Sequence, residues 1–173
     1  CYDWDNMLYE YVEGEYSEAQ GDAVAVLMAD LGHSFQADYS AIATAALPNN
    51  VAMYENYGYS PSCFYAIRDY YSVENWNALL RREIDANRPV FYSAYTAEEA
   101  GHAFVIDGYD DNDYFHVNWG WGGMSDGFFK IEGLVLEEYV FDTRHWALLG
   151  VHPVRDGEVD NLIYLSTPGM TTK

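Results

Sequence analysis

Gly101-His102-Ala103-Phe104-Val105-Ile106-Asp107-Gly108 and, after an acidic turn, His116-Val117-Asn118-Trp119-Gly120-Trp121-Gly122-Gly123 decide how this chain is read. Residues 103–109 and 114–119 are apolar, aromatic and β-branched runs, and Asp110-Asp111-Asn112-Asp113 between them has turn chemistry, so the segment predicts a β-hairpin. Strand side chains alternate between faces, so His102, Phe104 and Ile106 share one face, and Tyr114, His116 and Asn118 share one face of the partner strand. An even register sets His102 and Asn118 on the same face, opposite or diagonal. An imidazole acting as a base needs a second group to fix its tautomer, and Asn118 can accept from the N–H on the nitrogen not used. Gly101 has no Cβ and leaves room for a substrate backbone beside the base. Trp119 and Trp121 can cover the His–Asn bond and keep water from competing for it.

Together with Ser125-Asp126-Gly127-Phe128-Phe129, these stretches resemble the C-terminal half of streptopain-type cysteine peptidases, a secreted bacterial family with a papain-like fold. The resemblance extends upstream through Tyr2-Asp3-Trp4-Asp5-Asn6-Met7-Leu8, Leu27-Met28-Ala29-Asp30-Leu31-Gly32 and Asn56-Tyr57-Gly58-Tyr59-Ser60, so it covers residues 2–153. It implies an α+β fold of the papain-like kind, with His102 as catalytic base and Asn118 as its orienting partner. It also implies that Trp119 shields the pair and that Trp121 lines the leaving-group side of the cleft. Ala100 and Gly101 would form the wall against which substrate lies. Residues 122–127 would be a mobile active-site loop, and Gly122, Gly123 and Gly127 independently predict backbone freedom there. Residues 39–44 stand where the family has a pocket wall rich in glycine and serine, and Ile42 points to a narrower or more apolar pocket.

The family's nucleophile is absent from its expected place. The catalytic cysteine of streptopain-type enzymes lies on a helix upstream of the Tyr-Asp-Trp-Asp-Asn segment, whereas this chain begins at that segment and holds only Cys1 and Cys63. An N-terminal cysteine can use its own amine as base, so Cys1 is either a self-contained nucleophile or the first residue of a fragment. Cys63 follows a turn and leads into a strand-like run, where a free cysteine is usually a small buried hydrophobe. A disulfide between the two cannot be read from sequence. The expectation is therefore a heavy chain or fragment of a cysteine endopeptidase, acting on protein or peptide substrates. Its thiol would come from an upstream cysteine-bearing chain of the same precursor, a zymogen. The alternative is a non-catalytic peptide- or glycan-binding protein on a peptidase scaffold.

Composition bounds the remaining classes. With 173 residues, half of them hydrophobic, the chain can bury a substantial core. A formal net charge of −20 repels phosphate backbones and anionic headgroups, which argues against nucleic-acid and membrane-surface binding. No stretch approaches the about 18 apolar residues of a membrane span, and secretion or a place at the cell surface is inferred from the family resemblance alone. The acidic run at 107–113 lacks the spacing and final bidentate acid of an EF-hand, and no His, Cys and carboxylate spacing suits zinc. Neither a metal nor a cofactor is expected.

Helices are expected first and sheet later. Residues 17–31 carry Ala23, Val24, Leu27, Met28 and Leu31 at helical spacing and stop at Gly32, which predicts a buried amphipathic helix. A shorter helix is expected over 48–56. A clearer one spans 72–87, with Trp76, Leu79, Leu80 and Ile84 on one face and Ser72 at its start. Strands are expected over 90–95, the hairpin, 127–132 and 146–152, giving an α+β order. Residues 1–154 would form part of a papain-like catalytic domain and 155–173 a C-terminal extension or linker. His33 and His152 are expected in ordinary surface or loop positions. His116 lies near Asn118 but outside the motif that carries the base.

Overall fold

The computed structural model describes residues 1–48, 50–136 and 139–154. By its internal contacts the chain falls into two compact units, Cys1–Gly58 and Tyr59–Lys173. The expected extension over 155–173 lies outside the described residues.

In the first unit, α1 (Glu18–Ser34) starts at a capping box. The Ser17 hydroxyl accepts the Gln20 N–H at 3.3 Å, and Gln20 Oε1 accepts the Ser17 N–H at 2.9 Å. The helix runs through Gly32, its expected stop, to Ser34. The expectation of a buried helix needs correction. Ala23 is buried and Val24, Leu27 and Leu31 are half-buried, but Met28 stays 61% exposed and Val26 54%. Apolar residues flank both sides of the helix, so that no single packed face buries them all. β1 (Asp38–Tyr39) and β2 (Thr44–Ala45) form a small antiparallel ribbon whose turn is closed by Ser40, which donates to the Ala43 carbonyl at 2.6 Å. The residues expected in a pocket wall are thus the tip of a hairpin, with Ile42 97% exposed. α2 (Asn50–Tyr57) ends at Gly58, whose φ of +69° suits a helix stop. Its Tyr57 hydroxyl meets Ser34 Oγ at 2.8 Å.

The second unit carries the main sheet. β3 (Phe64–Ile67) precedes α3 (Val73–Asp85), which Ser72 caps by accepting the Asn75 N–H. There follow β4 (Val90–Tyr95), β5 (Gly101–Tyr109), β6 (Phe115–Asn118), β7 (Gly127–Phe129), β8 (Leu134–Leu136), β9 (Tyr139–Phe141) and β10 (Thr143–Leu149). The larger sheet has the order β3-β10-β4-β5-β6-β7, antiparallel throughout, while β8 and β9 pair with each other. The α+β class holds, with β3 as the one main-sheet strand before α3. The strand expected over 127–132 stops at Phe129 and passes into a 3-10 turn at Ile131–Gly133, and the last strand lies three residues earlier than its expected start.

One face of this sheet is the core. Val90, Tyr92 and Ala94 of β4, Phe104 and Ile106 of β5, and Phe115 and Val117 of β6 are buried against Trp76 and Leu80 of α3, with Ile131, Leu134 and Phe141 closing the cluster. Burying each large side chain contributes roughly 2–3 kcal/mol. The C-terminal turn of α3 is joined to the end of β10 by Glu83, 2% exposed, which takes two hydrogen bonds from Arg88 (2.7 and 3.0 Å) and one from the Gly150 N–H (2.9 Å).

Candidate active site

His102 is the second residue of β5 and lies opposite Ala94 of β4. Near the hairpin turn, the β5–β6 ladder pairs Tyr109 with Phe115 and Gly108 with His116, the even register that, continued, would set His102 and Asn118 on one face. Between Gly108 and Ile106 the register shifts, and beyond it Ile106 pairs with Val117 and Val105 with Asn118. One extra residue in a strand turns every following side chain to the other face of its partner. The bulge therefore sets Val117 and Trp119 on the face of Ile106, Phe104 and His102, and Asn118 on the opposite face beside Val105. The structure does not bring Asn118 to His102. The Asn118 Oδ1 instead accepts the Gly120 N–H at 2.9 Å, and the residue is exposed.

The orienting contact comes from the main chain. His102 Nε2 lies 2.9 Å from the Trp119 carbonyl oxygen. A carbonyl oxygen only accepts, so Nε2 carries the proton and the lone pair stays on Nδ1. The ring is held among aromatics: Trp121 at 4.8 Å between centroids, Trp119 at 5.9 Å, and Phe104 and Phe141 each at 6.2 Å. Trp119 is wholly buried, whereas Trp121 is 39% exposed and stacks on it at 6.0 Å. The first tryptophan is thus a core residue beneath the imidazole and the second a cover toward solvent.

The loop from Trp119 to Asp126 follows. Gly120, Gly122 and Gly123 have φ of +79°, +64° and +85°, values that side-chain-bearing residues rarely adopt. Gly127 belongs to β7, paired with Val117, rather than to the loop. The Asp126 Oδ1 accepts the Trp119 N–H at 2.9 Å.

Ala100 and Gly101 close the β4–β5 turn, with the Ala100 carbonyl accepting the Thr96 N–H at 2.9 Å. A Cβ on Gly101 would lie 2.5 Å from Cε1 of Tyr95. The space above Gly101 is therefore filled by the chain's own tyrosine ring. The Arg144 guanidinium stands 5.4 Å from that ring's centroid and pairs with Glu99 at 2.5 Å. Tyr95, Arg144 and Phe141 belong to no sequence motif and had no signal in the chain. Asp126 lay in view within the loop, without an evident task.

Both cysteines carry free thiols. Cys63 is 2% exposed, and burial pushes its thiol up, away from a reactive thiolate. Cys1 is exposed. His116 pairs with Asp107 at 2.5 Å and lies against Phe128. His145, which no motif singles out, is buried on β10. Its Nδ1 shares a hydrogen bond with the Tyr92 hydroxyl at 2.9 Å, and that oxygen accepts the Trp76 indole N–H at 3.2 Å. Among the described residues, no group of three or more His, Cys, Asp or Glu side chains converges as a metal site, and no helix is long and apolar enough to cross a membrane.

An imidazole near a strand start, its Nε2 on a main-chain carbonyl and its ring packed against two tryptophans of a glycine-rich turn, is the candidate active site of this chain. The description "Peptidase C10 family" matches residues 1–129. The chain belongs to the peptidase C10 family of cysteine peptidases. It is 42% identical over 135 residues to streptopain of Streptococcus pyogenes, a match spanning 77% of this chain and 33% of that protein. It is 34% identical over 132 residues to the thiol protease/hemagglutinin PrtT of Porphyromonas gingivalis, covering 75% of this chain and 15% of that one. The chain thus spans about a third of the length of the streptopains it matches. The active interpain A cysteine protease of Prevotella intermedia superposes with a TM-score of 0.80 at 32% identity, covering 87% of this chain and 64% of that chain. A prointerpain A fragment from the same organism gives a TM-score of 0.75 at 33% identity, covering 89% and 49%.

Proposed function

We propose that this chain supplies the general base and part of the substrate cleft of a secreted cysteine endopeptidase, whose nucleophilic thiol is carried on an upstream segment of the same precursor. The observation that carries the reading is the Nε2 contact to the Trp119 carbonyl, which leaves Nδ1 of His102 free to take a proton. Nδ1 would remove the proton of the incoming thiol, hold the thiolate as an ion pair, and return the proton to the leaving amine of the peptide. Trp119 and Trp121 would exclude water from the Nε2 contact. Asn118 would act through its bond to the Gly120 amide, shaping the turn that presents both rings. An oxyanion hole would include the cysteine's own N–H, so this chain alone would hydrolyse nothing. The pocket-wall expectation for Ala100 and Gly101 narrows to Ala100 and the Tyr95 ring that covers Gly101.

The test joins this chain to the cysteine-bearing segment of its precursor and follows cleavage of an unstructured protein substrate, together with labelling by a thiol-directed peptide electrophile. Turnover and single-site labelling on the upstream cysteine, both abolished by His102→Ala, are expected. A correctly folded complex that binds peptide but neither labels nor turns over would replace the reading with a binding protein on a peptidase scaffold. Rapid labelling at Cys1 would move the nucleophile.

A further inference from the structure

The reading of His102 as base leaves open what holds its partner in place. A main-chain carbonyl points where the local backbone sends it, and the backbone at Trp119 leaves a regular strand for a turn with three left-handed glycines. The β6–β7 ladder ends at Val117 opposite Gly127. One step further, no main-chain rung is available, because residues 121–126 turn back on themselves through Met124 N–H to Trp121 O (3.3 Å) and Asp126 N–H to Gly123 O (3.4 Å). The Asp126 carboxylate takes the missing place, with its Oδ1 accepting the Trp119 N–H at 2.9 Å. Trp119 is wholly buried, and a buried N–H without a partner is costly.

We propose that Asp126 is a positioning residue for His102: by holding the Trp119 N–H it fixes the direction of the Trp119 carbonyl, and through that carbonyl the tautomer of the imidazole. Two hydrogen bonds in series, each of 2.9 Å, connect the carboxylate to Nε2 through one residue. The bond also divides the loop. Residues 120–125 retain their glycine freedom, while Trp119 at its root is tethered to the residue that re-enters the sheet.

The proposal rests on His102 as the base, yet its first readout is independent of turnover. In the chain labelled with 15N, the two ring nitrogens of His102 report the tautomer directly, and exchange of the Trp119 amide reports the Asp126 bond. Asp126→Ala is expected to speed exchange of the Trp119 amide by about tenfold or more and to convert the single Nε2–H tautomer into a mixture. Asp126→Asn, whose side-chain oxygen still accepts, is expected to keep both signals. If Asp126→Ala fails to fold, Asp126→Gln displaces the acceptor by one methylene and should give the same mixture. A variant with a faster Trp119 amide but an unchanged tautomer would overturn the proposal. With the cysteine-bearing segment present, Asp126→Ala should lower kcat by about tenfold to a hundredfold with little change in KM, and Asp126→Asn should recover most of it. Absence of turnover in the unsubstituted protein would count against the peptidase reading alone, leaving the tautomer result to decide the role of Asp126.

Discussion

The Glu83 carboxylate accepts the N–H of Gly150 across 67 positions of sequence, joining the last turn of α3 to the residue that follows β10. Burial pushes this carboxyl up, but the two Arg88 hydrogen bonds, the Gly150 N–H and the charges of Arg88 and Arg82 outweigh it and hold the carboxyl below the usual carboxylate range. Removing one partner of a buried pair strands the other, so Glu83→Ala should cost about 3 kcal/mol in urea unfolding. A carboxyl lowered in the folded state contributes stability above its unfolded value of about 4.3, and the contribution is lost as pH falls through the folded value. Glu83→Gln should therefore flatten the loss of stability below about pH 4. An unchanged acid limb in that variant would remove Glu83 from the account.

His145 gives a second, milder acid response. Burial holds the imidazole below its ordinary value, and the nearby Arg68 charge adds to this, against the opposing effects of Asp142, Asp69 and the Phe141 carbonyl. The unfolded chain then binds the proton first, so stability falls as pH drops below about 6.5, by at most about 1.4 kcal/mol per pH unit. His145→Phe should remove that slope between pH 7 and 5.5 while losing the Tyr92 hydrogen bond. Urea midpoints at the two pH values for both proteins provide the check.

Trp119 and Trp121 should separate cleanly by substitution. Trp119→Ala empties a fully buried site and should destabilise by about 3–5 kcal/mol. Trp121, more than a third exposed, should tolerate Ala within about 1 kcal/mol, and under the proposed function the cost should appear in turnover once the proposed cysteine-bearing segment is supplied. Equal loss of stability in both variants would contradict the division between core and cover.

Gly101→Ala should destabilise by about 1–3 kcal/mol, because its methyl group must displace the Tyr95 ring. Tyr95→Ser clears that space, so the double variant should show a smaller loss than the two single losses added together. Additive losses would mean that the crowding arises elsewhere.

Much of the fold was legible because it rests on local chemistry. Ser17 and Ser72 announce their helices, and the apolar runs of β4, β5 and β6 announce the strands. The motif around His102 carried the family. The face of Asn118 was not legible: a one-residue bulge reverses strand parity, and its only trace in the sequence is Gly108, where a Cβ would crowd His116 at 3.3 Å. The orienting carbonyl of Trp119 was invisible in principle, since every residue carries one. The exposure of Met28 was equally hidden, because helical spacing reveals which residues are apolar and not which of them are covered. β8 and β9 are too short for alternation to show.

An imidazole steered by a main-chain oxygen has a different genetic vulnerability from one steered by a side chain. No codon change at position 119 can delete the acceptor; it can alter the ring, the packing and the amide's surroundings, but the oxygen stays. Drift can reach the tautomer of His102 only by redirecting the backbone, through the bulge that sets strand parity, the glycines that let the chain turn or, on our proposal, Asp126. With His102 as the proposed base, variants that lose activity but spare stability should therefore gather at these unobtrusive positions as readily as at His102 itself.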